Sequence, residues 1–478
     1  MSAIYQNLAK TLGLTWPTVA DVNVTGQDPW VDSVFRVGEC AAAALGAQAA
    51  AVSEIWRRRS GQRQKVRVDA LAGALATFSV GYQSQHGYVI PQNEPSYPLV
   101  DLYPAKDGRW FFPHGAFPLL RNGLLELLQC TMDPHSIAEA IKGRDAQKLE
   151  NDIADLGLCG AMVRSYAEWI AHPQGKALAN SPLIEIIKIG DSAPEPFKPA
   201  RRPLSGLRVL DLTHVIAGPT CGKTLAEQGA TVMHVTFPGH PGLPPFDVDT
   251  THGKLAALCD LKQPADAERM RTLIKGADVF AESYRPGGIS KLGFDPAQVA
   301  ALRPGIVYLS LNCYGWSGPW KDRPGWEQLA QVATGMTVAQ GSASKPAIQP
   351  TYPNDYITGF LASLGILMAL IRRADEGGSY HVRVSLCRTA MWVQDQGTIP
   401  HQVPPPKIPP EAISRYQETK PSPFGSLTYL RPVLDYEHTP SYWERMTEPL
   451  GASPAAWPVL ADECDDIRPA QDKRRPNV

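Results

Sequence analysis

The chain has 478 residues, of which 44% are hydrophobic and 19% are charged, and its formal net charge is −1. A near-zero net charge argues against nucleic acid or an anionic membrane as the main partner, since both usually bind proteins with a clear basic excess. The eight cysteines show no CxxC spacing, so we expect no metal and a reducing, cytoplasmic compartment. No signal-peptide pattern opens the chain, and no apolar run reaches the length of a membrane span.

Proline-rich stretches divide the chain into three parts. The first part, residues 1–200, runs into a proline-rich connector at 193–203. Residues 203–400 alternate apolar strands with helices of about ten residues, which predicts βαβ units and an open, mostly parallel α/β sheet. Residues 401–478 are again rich in proline, and we expect an irregular C-terminal extension there.

The first part contains an echo of the second. Val66-Arg67-Val68 recurs 316 residues later as Val382-Arg383-Val384. Sliding the chain by 316 pairs residues 45–74 with 361–390, and eight of the thirty positions are identical. Random pairing would give about two, so the echo predicts a partial internal duplication.

In this register Glu39 falls opposite Asp355. The pair Thr358-Gly359, which follows Asp355 in the second copy, becomes Ala42-Ala43 in the first. We therefore expect the N-terminal copy to be scaffold and Glu39 not to form a second active site.

Several residues near the predicted strand ends are suited to binding a phosphate. His214 follows a buried strand, and Ala217 and Gly218 lie in the turn that starts the next helix. Ligands of open α/β sheets bind at this edge, and free N–H groups at a helix start attract phosphate. Lys254 and Arg285 lie next to neighbouring strands and could add positive charge. A tight turn or a solvated surface cation explains any one of these residues equally well.

The segment 353–359 places Asp355 at the start of a long apolar helix. A lone Asp before a helix is usually an N-cap, because its side chain accepts hydrogen bonds from the free N–H groups of the first turn. The positive end of the helix dipole should also give this carboxylate a low pKa and keep it ionised at pH 7.

Together these segments resemble the class III CoA-transferase family, which includes carnitine CoA-transferases, formyl-CoA transferase and 2-methylacyl-CoA racemases. The resemblance runs in order over 203–392, and residues 96–190 resemble the smaller domain of the same family. The matching segments of the larger domain are 206–219, 225–232, 253–254, 259–261, 277–279, 285–287, 292–294, 304–308, 314–319 and 355–359.

The resemblance implies a fold, a reaction and a set of site residues. The fold is a Rossmann-like, mostly parallel sheet domain with a smaller α+β domain, assembled as a homodimer. Coenzyme A is both substrate and product, and it moves between an acyl-CoA and a carboxylic acid. Asp355 is the nucleophile, forming first a mixed anhydride and then a thioester with CoA. The residues that the resemblance places near CoA are His214, Ala217, Gly218, Lys254 and Arg285.

Two other functions stay open on this sequence. A non-catalytic CoA-binding or partner subunit would fit the eroded N-terminal copy and the lack of a Gly-rich active-site loop. An acyl-CoA racemase or lyase would fit the same scaffold. The racemases carry a His where Trp326 stands, and an indole cannot move a proton usefully, so Trp326 argues against racemisation. We expect Trp326 to line an acyl pocket instead.

Overall fold

The computed structural model describes residues 2–91, 98–285, 287–401, 404 and 406–458. The N-terminal segment packs a long central helix against two short parallel strands. Its elements are α1 (Ala3–Thr11), β1 (Val22–Thr25), α2 (Val37–Ser60), β2 (Val66–Asp69), α3 (Ala70–Ala76) and β3 (Ser84–Gln85). Short 3₁₀ helices lie at Pro17–Asp21 and Ser79–Tyr82.

A small α+β domain follows, as the family resemblance implies. It contains a three-stranded antiparallel sheet covered by helices. Its elements are β4 (Tyr103–Pro104), β5 (Trp110–Pro113), α4 (Pro118–Leu128), α5 (Pro134–Lys142), α6 (Ala146–Asp155), β6 (Gly160–Met162), α7 (Tyr166–Ala171) and α8 (Pro173–Ala179).

The largest unit is a seven-stranded sheet with helices on both faces. Its elements are β7 (Glu185–Gly190), β8 (Arg208–Leu212), α9 (Ala217–Ala226), β9 (Thr231–Thr236), α10 (Pro244–Thr250), β10 (Lys254–Leu258), α11 (Pro264–Lys275), β11 (Val279–Glu282), a 3₁₀ helix at Ser290–Leu292, α12 (Pro296–Leu302), β12 (Val307–Asn312), α13 (Glu327–Thr334), α14 (Met336–Gln340), α15 (Pro353–Glu376), β13 (Ser379–Ser385) and α16 (Leu386–Asp395).

The strand order of this sheet is β10-β9-β8-β11-β12-β13-β7, with β7 alone antiparallel. The prediction of an open, mostly parallel Rossmann-like sheet is confirmed. Strands β8, β9 and β10 form one half of the sheet, and β11, β12 and β13 form most of the other. The strand order reverses between the neighbouring strands β8 and β11, and ligands of such folds bind at this switch point. Leu212 and Glu282, the last residues of these two strands, lie side by side, so the loops that follow them emerge together.

The proline-rich connector does not mark the edge of the sheet domain. Strand β7 lies before it in the chain, yet pairs with β13 of the large sheet. A boundary at 203 therefore separates one strand from the sheet to which it belongs, because sequence patterns report local periodicity and not pairing between distant segments.

The expectation of an irregular C-terminal extension is wrong for residues 410–436. This stretch forms α17 (Pro410–Ser414), β14 (Gln417–Ser422), β15 (Gly425–Leu430) and β16 (Asp435–Tyr436). Strand β15 lies between β14 and β3, while β16 pairs with β2. Pro421 is tolerated because β14 is an edge strand, where a missing N–H leaves no ladder bond unmade. The remainder of the predicted extension, 459–478, lies outside the described residues.

Helix α15 runs through the centre of the molecule. By length and composition it could cross a membrane, but 94% of its apolar window is buried inside the protein, as in the core helix of a folded domain. It packs against α2 on one side and α9 on another. At Gly359 an added Cβ would lie 2.6 Å from the carbonyl oxygen of Ala217 and 2.8 Å from the Cβ of Thr220. The glycine therefore allows α15 and α9 to cross at close range.

Replacing Gly359 with alanine should destabilise the protein, because the backbone of α9 cannot move aside without disturbing the sheet. We expect the free energy of unfolding to fall by about 1–3 kcal/mol, the usual cost of overpacking. Denaturant unfolding of the Gly359→Ala variant measures the loss. Gly143→Ala is the matched control, since an added Cβ there meets nothing closer than 3.7 Å. An equal effect of both substitutions would contradict the close crossing.

Candidate active site

Asp355 lies in the first turn of α15, but it is not the cap of that helix. The N-cap position is Tyr352, and the orphan donors of the first turn are taken by Glu327. The backbone N–H of Asp355 donates to Oε2 of Glu327 (2.5 Å), and Nδ2 of Asn354 donates to Oε1 (2.9 Å). Nε2 of Gln331 donates to Oε1 as well (2.7 Å). The expected N-cap role thus belongs to a carboxylate from α13.

The side chain of Asp355 is buried, and among the described residues no hydrogen bond reaches its carboxylate. Burial raises its pKa well above the usual range, and the nearby Glu327 carboxylate raises it further. Burial also raises the pKa of Glu327 to about 7. The expectation of a low pKa at Asp355 is wrong, because dehydration and a second carboxylate outweigh the helix dipole. The two carboxyl groups form a coupled pair.

The turn between β8 and α9 contains a strained residue. Val215 has φ of +69°, a left-handed conformation that β-branched residues rarely adopt. Such strain persists only where the surrounding structure imposes it, and it is common at ligand-binding turns. The backbone N–H of His214 donates to Oγ of Ser283 (3.1 Å), which ties this turn to the loop after β11. The structure thus places His214 at the switch point of the sheet.

His214 is neutral. Burial and the neighbouring rings of His240 and His234 lower its pKa to about 3. Its ring stacks on His240 at 4.7 Å between centroids and meets the edge of Tyr284 at 5.1 Å. Among the described residues its Nε2 is buried without a hydrogen-bond partner. The imidazole cannot attract phosphate as a cation, but it retains one unpaired nitrogen for a neutral ligand group.

Ala217 and Gly218 form the first turn of α9, and both are buried. A Cβ at Gly218 would overlap the side chain of Thr213, so this glycine lets the helix pack closely on the strand end. The carbonyl of Ala217 lies at the crossing with α15, beside Gly359. Asp355 precedes Gly359 by one helical turn, about 6 Å along the axis. The crossing therefore brings Asp355 close to the β8–α9 turn.

Lys254 does not reach solvent, contrary to the expectation of a phosphate contact. It is the first residue of β10 and is fully buried. Its ammonium group contacts Oδ2 of Asp211 and the carbonyl of Pro219, each at 2.7 Å. Burial favours a protonated Asp211, yet the Lys254 ammonium holds the pKa of that carboxyl below its usual range. This pair fixes the sheet against the start of α9.

Arg285 has the exposure that a phosphate contact requires. It follows Tyr284 in the loop after β11, and its Nη1 lies 3.1 Å from the position of a Cβ added at Gly157. Gly157 belongs to the small domain, so the guanidinium stands where that domain meets the switch point. Of the two cations predicted from the sequence, Arg285 is accessible and Lys254 is not.

A row of aromatic rings leads from the carboxylate pair to the β8–α9 turn. Trp326, the residue before Glu327, stacks on His114 at 5.8 Å and packs on Phe117 at 5.3 Å. Phe117 contacts His240 at 6.3 Å, and His240 contacts His214. His114 and Phe117 come from the small domain, so both domains contribute to this aromatic row. Trp326 precedes Glu327 in the chain and its ring packs on the small domain, and its role as the wall of an acyl pocket stays a prediction.

Sequence reasoning missed most of these neighbours. The sequence analysis assigned Glu327 no role, because nothing local pairs it with a residue 28 positions away. His114, Phe117 and His240 carry no motif. A signal for Glu327 was present in Gln331, since residues four apart share one helix face.

Comparison with known proteins gives a consistent result. A family model described as CoA-transferase family III matches residues 204–424. The acetyl-coenzyme A transferase nodX of Hypoxylon pulicicidum is 34% identical over 326 residues, which are 63% of this chain and 55% of that protein. The acyl-CoA transferase of Gibberella moniliformis is 32% identical over 317 residues, 61% of this chain and 55% of that protein.

A third relative is covered more fully. The probable fatty acyl-CoA transferase Rv3272 of Mycobacterium tuberculosis is 30% identical over 273 residues, 52% of this chain and 69% of that protein. The chain thus spans a little more than half the length of the two fungal relatives and over two thirds of the mycobacterial one.

The two predicted cations should differ in what their loss does to stability. Lys254→Met leaves the buried Asp211 carboxylate without its counter-charge, and we expect a loss of about 3–5 kcal/mol in the free energy of unfolding. Arg285→Met removes an exposed side chain and should change it by no more than about 0.5 kcal/mol. Denaturant unfolding of both variants measures the contrast. Equal losses would show that Lys254 is not the buried half of an ion pair.

Proposed function

This chain belongs to CoA-transferase family III, and we propose that it moves coenzyme A between an acyl-CoA thioester and a carboxylic acid. One observation supports this reaction above the others. The Asp355 carboxylate is buried, accepts no hydrogen bond from the described residues, and lies one helical turn from the crossing with the β8–α9 turn. A carboxylate without hydrogen bonds is free to act as a nucleophile once it is ionised.

The proposed reaction uses Asp355 in four displacements. Its carboxylate attacks the thioester carbonyl, the C–S bond breaks, and a mixed anhydride and CoA thiolate result. The thiolate attacks the Asp355 carbonyl, releasing the first carboxylate and leaving an aspartyl thioester. The acceptor carboxylate then attacks that thioester and expels the thiolate again. Attack of the thiolate on the acceptor carbonyl gives the new acyl-CoA and restores Asp355.

Glu327 has a positioning role in this scheme. It holds the first turn of α15 through the N–H of Asp355 and the amide of Asn354. Each of the two carboxylates makes ionisation of the other less favourable, so the pair tends to retain a proton. Asp355 must be the ionised member of the pair when it attacks. The orientation and the ionisation of the nucleophile thus depend on the same neighbour.

The residues at the switch point fit a CoA chain. We propose that Arg285 contacts a phosphate and that the unpaired Nε2 of His214 bonds a neutral group of the pantetheine arm. Ala217 and Gly218 would line the turn. Lys254 would act only indirectly, by holding the start of α9 through Asp211 and Pro219. The aromatic row would border the acyl group.

Three expectations from the sequence go beyond the reaction. The resemblance predicts a homodimer, the cysteine pattern predicts a cytoplasmic location, and the 316-residue echo predicts an internal duplication.

Replacing the nucleophile should abolish covalent catalysis. Asp355→Asn should lower kcat by roughly 10³-fold or more, the scale of loss when a covalent nucleophile is removed. Incubation with acyl-CoA and hydroxylamine, followed by mass spectrometry, should give a hydroxamate at Asp355 in the native protein only. Asp375→Asn, in the exposed last turn of the same helix, is the matched control and should react normally. A native protein that no thioester labels would favour the non-catalytic binding subunit.

Replacing Glu327 should change the pH dependence of the reaction. Glu327→Gln removes the negative neighbour, so the pKa of Asp355 should fall and the acid limb of kcat/KM should move to lower pH. The new NH2 group can donate to Oδ1 of the adjacent Asn354, which is buried without a partner among the described residues, at the expense of the bond from Gln331. The pH profile of kcat/KM measures the shift, with Glu376→Gln at the exposed end of α15 as control. An unmoved acid limb would leave Glu327 only its structural role.

The same variant tests the electrostatics without catalysis. The pKa of Glu327 is raised from 4.5 to about 7 by folding, so its contribution to stability is full below pH 4.5 and is lost as pH rises through about 7. The native protein should therefore lose stability relative to Glu327→Gln over this interval. Thermal unfolding at a series of pH values measures the difference.

A further inference from the structure

Two parts of the chain have a similar local architecture, and their helices are offset by 316 residues. Helices α2 and α15 each have 24 residues, and both their first and last residues are 316 positions apart. Helices α3 and α16 start at Ala70 and Leu386, again 316 apart. Strands β1 and β2 are parallel, as are β12 and β13. The outer edge of β2 carries the antiparallel strand β16, and that of β13 carries β7.

The two copies touch through equivalent positions. Three hydrogen bonds join residues whose numbers differ by 315 to 317: Ser33 to Gln349 (2.6 Å), Gln48 to Ser363 (2.9 Å) and Arg58 to Asp375 (2.5 Å). The first joins a residue to its own counterpart and the other two are one position off, and contacts of this kind are the mark of a two-fold axis. Because such contacts occur before, within and at the end of α2, the axis runs along the helix pair, and α2 and α15 lie parallel and in register.

The surfaces that meet at this axis are closed to other molecules. Helix α2 is buried from Val37 through Ile55 except at Glu39, and α15 is buried from Pro353 through Ile371. Eight of the 24 residues of α2 are alanines, which allows close approach of the helices around it. A two-fold dimer uses the same patch on both subunits. Here that patch is already covered on both sides within one chain.

The first copy also completes the site of the second. The chain continues from it into the small domain, whose His114 and Phe117 pack on Trp326. The backbone N–H of Arg164, at the end of this domain, donates to the carbonyl of Val332 in α13 (3.2 Å). Helix α13 begins at Glu327, which holds Asp355. The Asp355 site is therefore assembled from both sides of the internal axis.

The position equivalent to Asp355 has no comparable surroundings. Glu39 is bound by Arg36 at 3.0 Å and accepts the N–H of Asp28. Within the described residues the sheet beside it has three strands, where the sheet beside Asp355 has seven. Residues 437–458, which follow β16, contain no helix or strand. The small domain that follows β2 packs on the second copy through His114, Phe117 and Arg164.

We infer that the first copy stands where a second subunit would stand, so that this chain acts as a monomer with one acyl-CoA site assembled across an internal two-fold axis. This replaces the homodimer predicted from the resemblance. The claim rests on the proposed function only in naming CoA as the ligand. The internal axis and the monomeric state follow from the packing alone.

The mass of the protein in solution is the first test. Light scattering coupled to gel filtration should give the mass of one chain, 52.0 kDa, throughout the concentration range of the activity assay. Twice that mass would overturn the monomer.

A cross-link tests the axis itself. Arg58→Cys/Asp375→Cys, treated with a short bismaleimide, should link within one chain, because these partly exposed residues meet across the axis. The single variants show any background from native cysteines. A link between two chains, seen as a doubled mass on a denaturing gel, would mean that the copies exchange between chains and would overturn the inference.

Stoichiometry tests the single site. Titration calorimetry with coenzyme A should give one molecule per chain for the native protein and for Glu39→Gln. Acyl-CoA with hydroxylamine should mark Asp355 and leave Glu39 unmodified. Two molecules of CoA per chain, or a hydroxamate at Glu39, would overturn the single-site claim. Failure of CoA to bind at all would remove the proposed function and the single site together, while the mass and the cross-link would still decide the axis.

Discussion

The carboxylate of Glu327 fixes the start of the central helix α15. It accepts the N–H of Asp355 and the side-chain amides of Asn354 and Gln331, all away from water. Leaving these donors buried and unpaired would cost about 1–3 kcal/mol each. Since α15 also crosses α9 and packs beside α2, the anchoring of its first turn determines where the Asp355 carboxylate lies relative to both helices.

The same contact explains why Asp355 resists ionisation. A helix start favours a charged carboxylate by about 0.3–1 kcal/mol, up to ~2 in partly buried sites. Burial can raise a pKa by up to about 3–5 units, at about 1.4 kcal/mol per unit. Dehydration is the larger effect, and the charge of Glu327 acts in the same direction. A buried carboxylate without hydrogen bonds is costly for the fold, and the nucleophile proposed at Asp355 would use it.

Distant parts of the chain meet at this site. The large sheet contributes the strained turn at Val215 and the loop that carries Arg285, while the small domain contributes His114 and Phe117. Strand β7 returns from the small domain to the edge of the sheet. The small domain is thus attached to the large one in two ways. Its chain continues into β7 of the sheet, and its residues His114 and Phe117 pack on Trp326. This double attachment keeps the aromatic row aligned between the carboxylate pair and the switch point.

Local patterns in the sequence were sufficient for the alternating strands and helices of 203–400 and for the place of Asp355 at a helix start. They also displayed the 316-residue offset that separates α2 from α15. These features depend on periodicity and identity along the chain, which a sequence displays directly. Tertiary contacts alone decided that Lys254 points into the sheet and that Glu327 pairs with Asp355. They also decided the raised pKa values of these two carboxyl groups and the formation of strands β7, β14 and β15. Each requires knowing which distant groups are adjacent and how much water they lose, and that information exists only once the chain has folded.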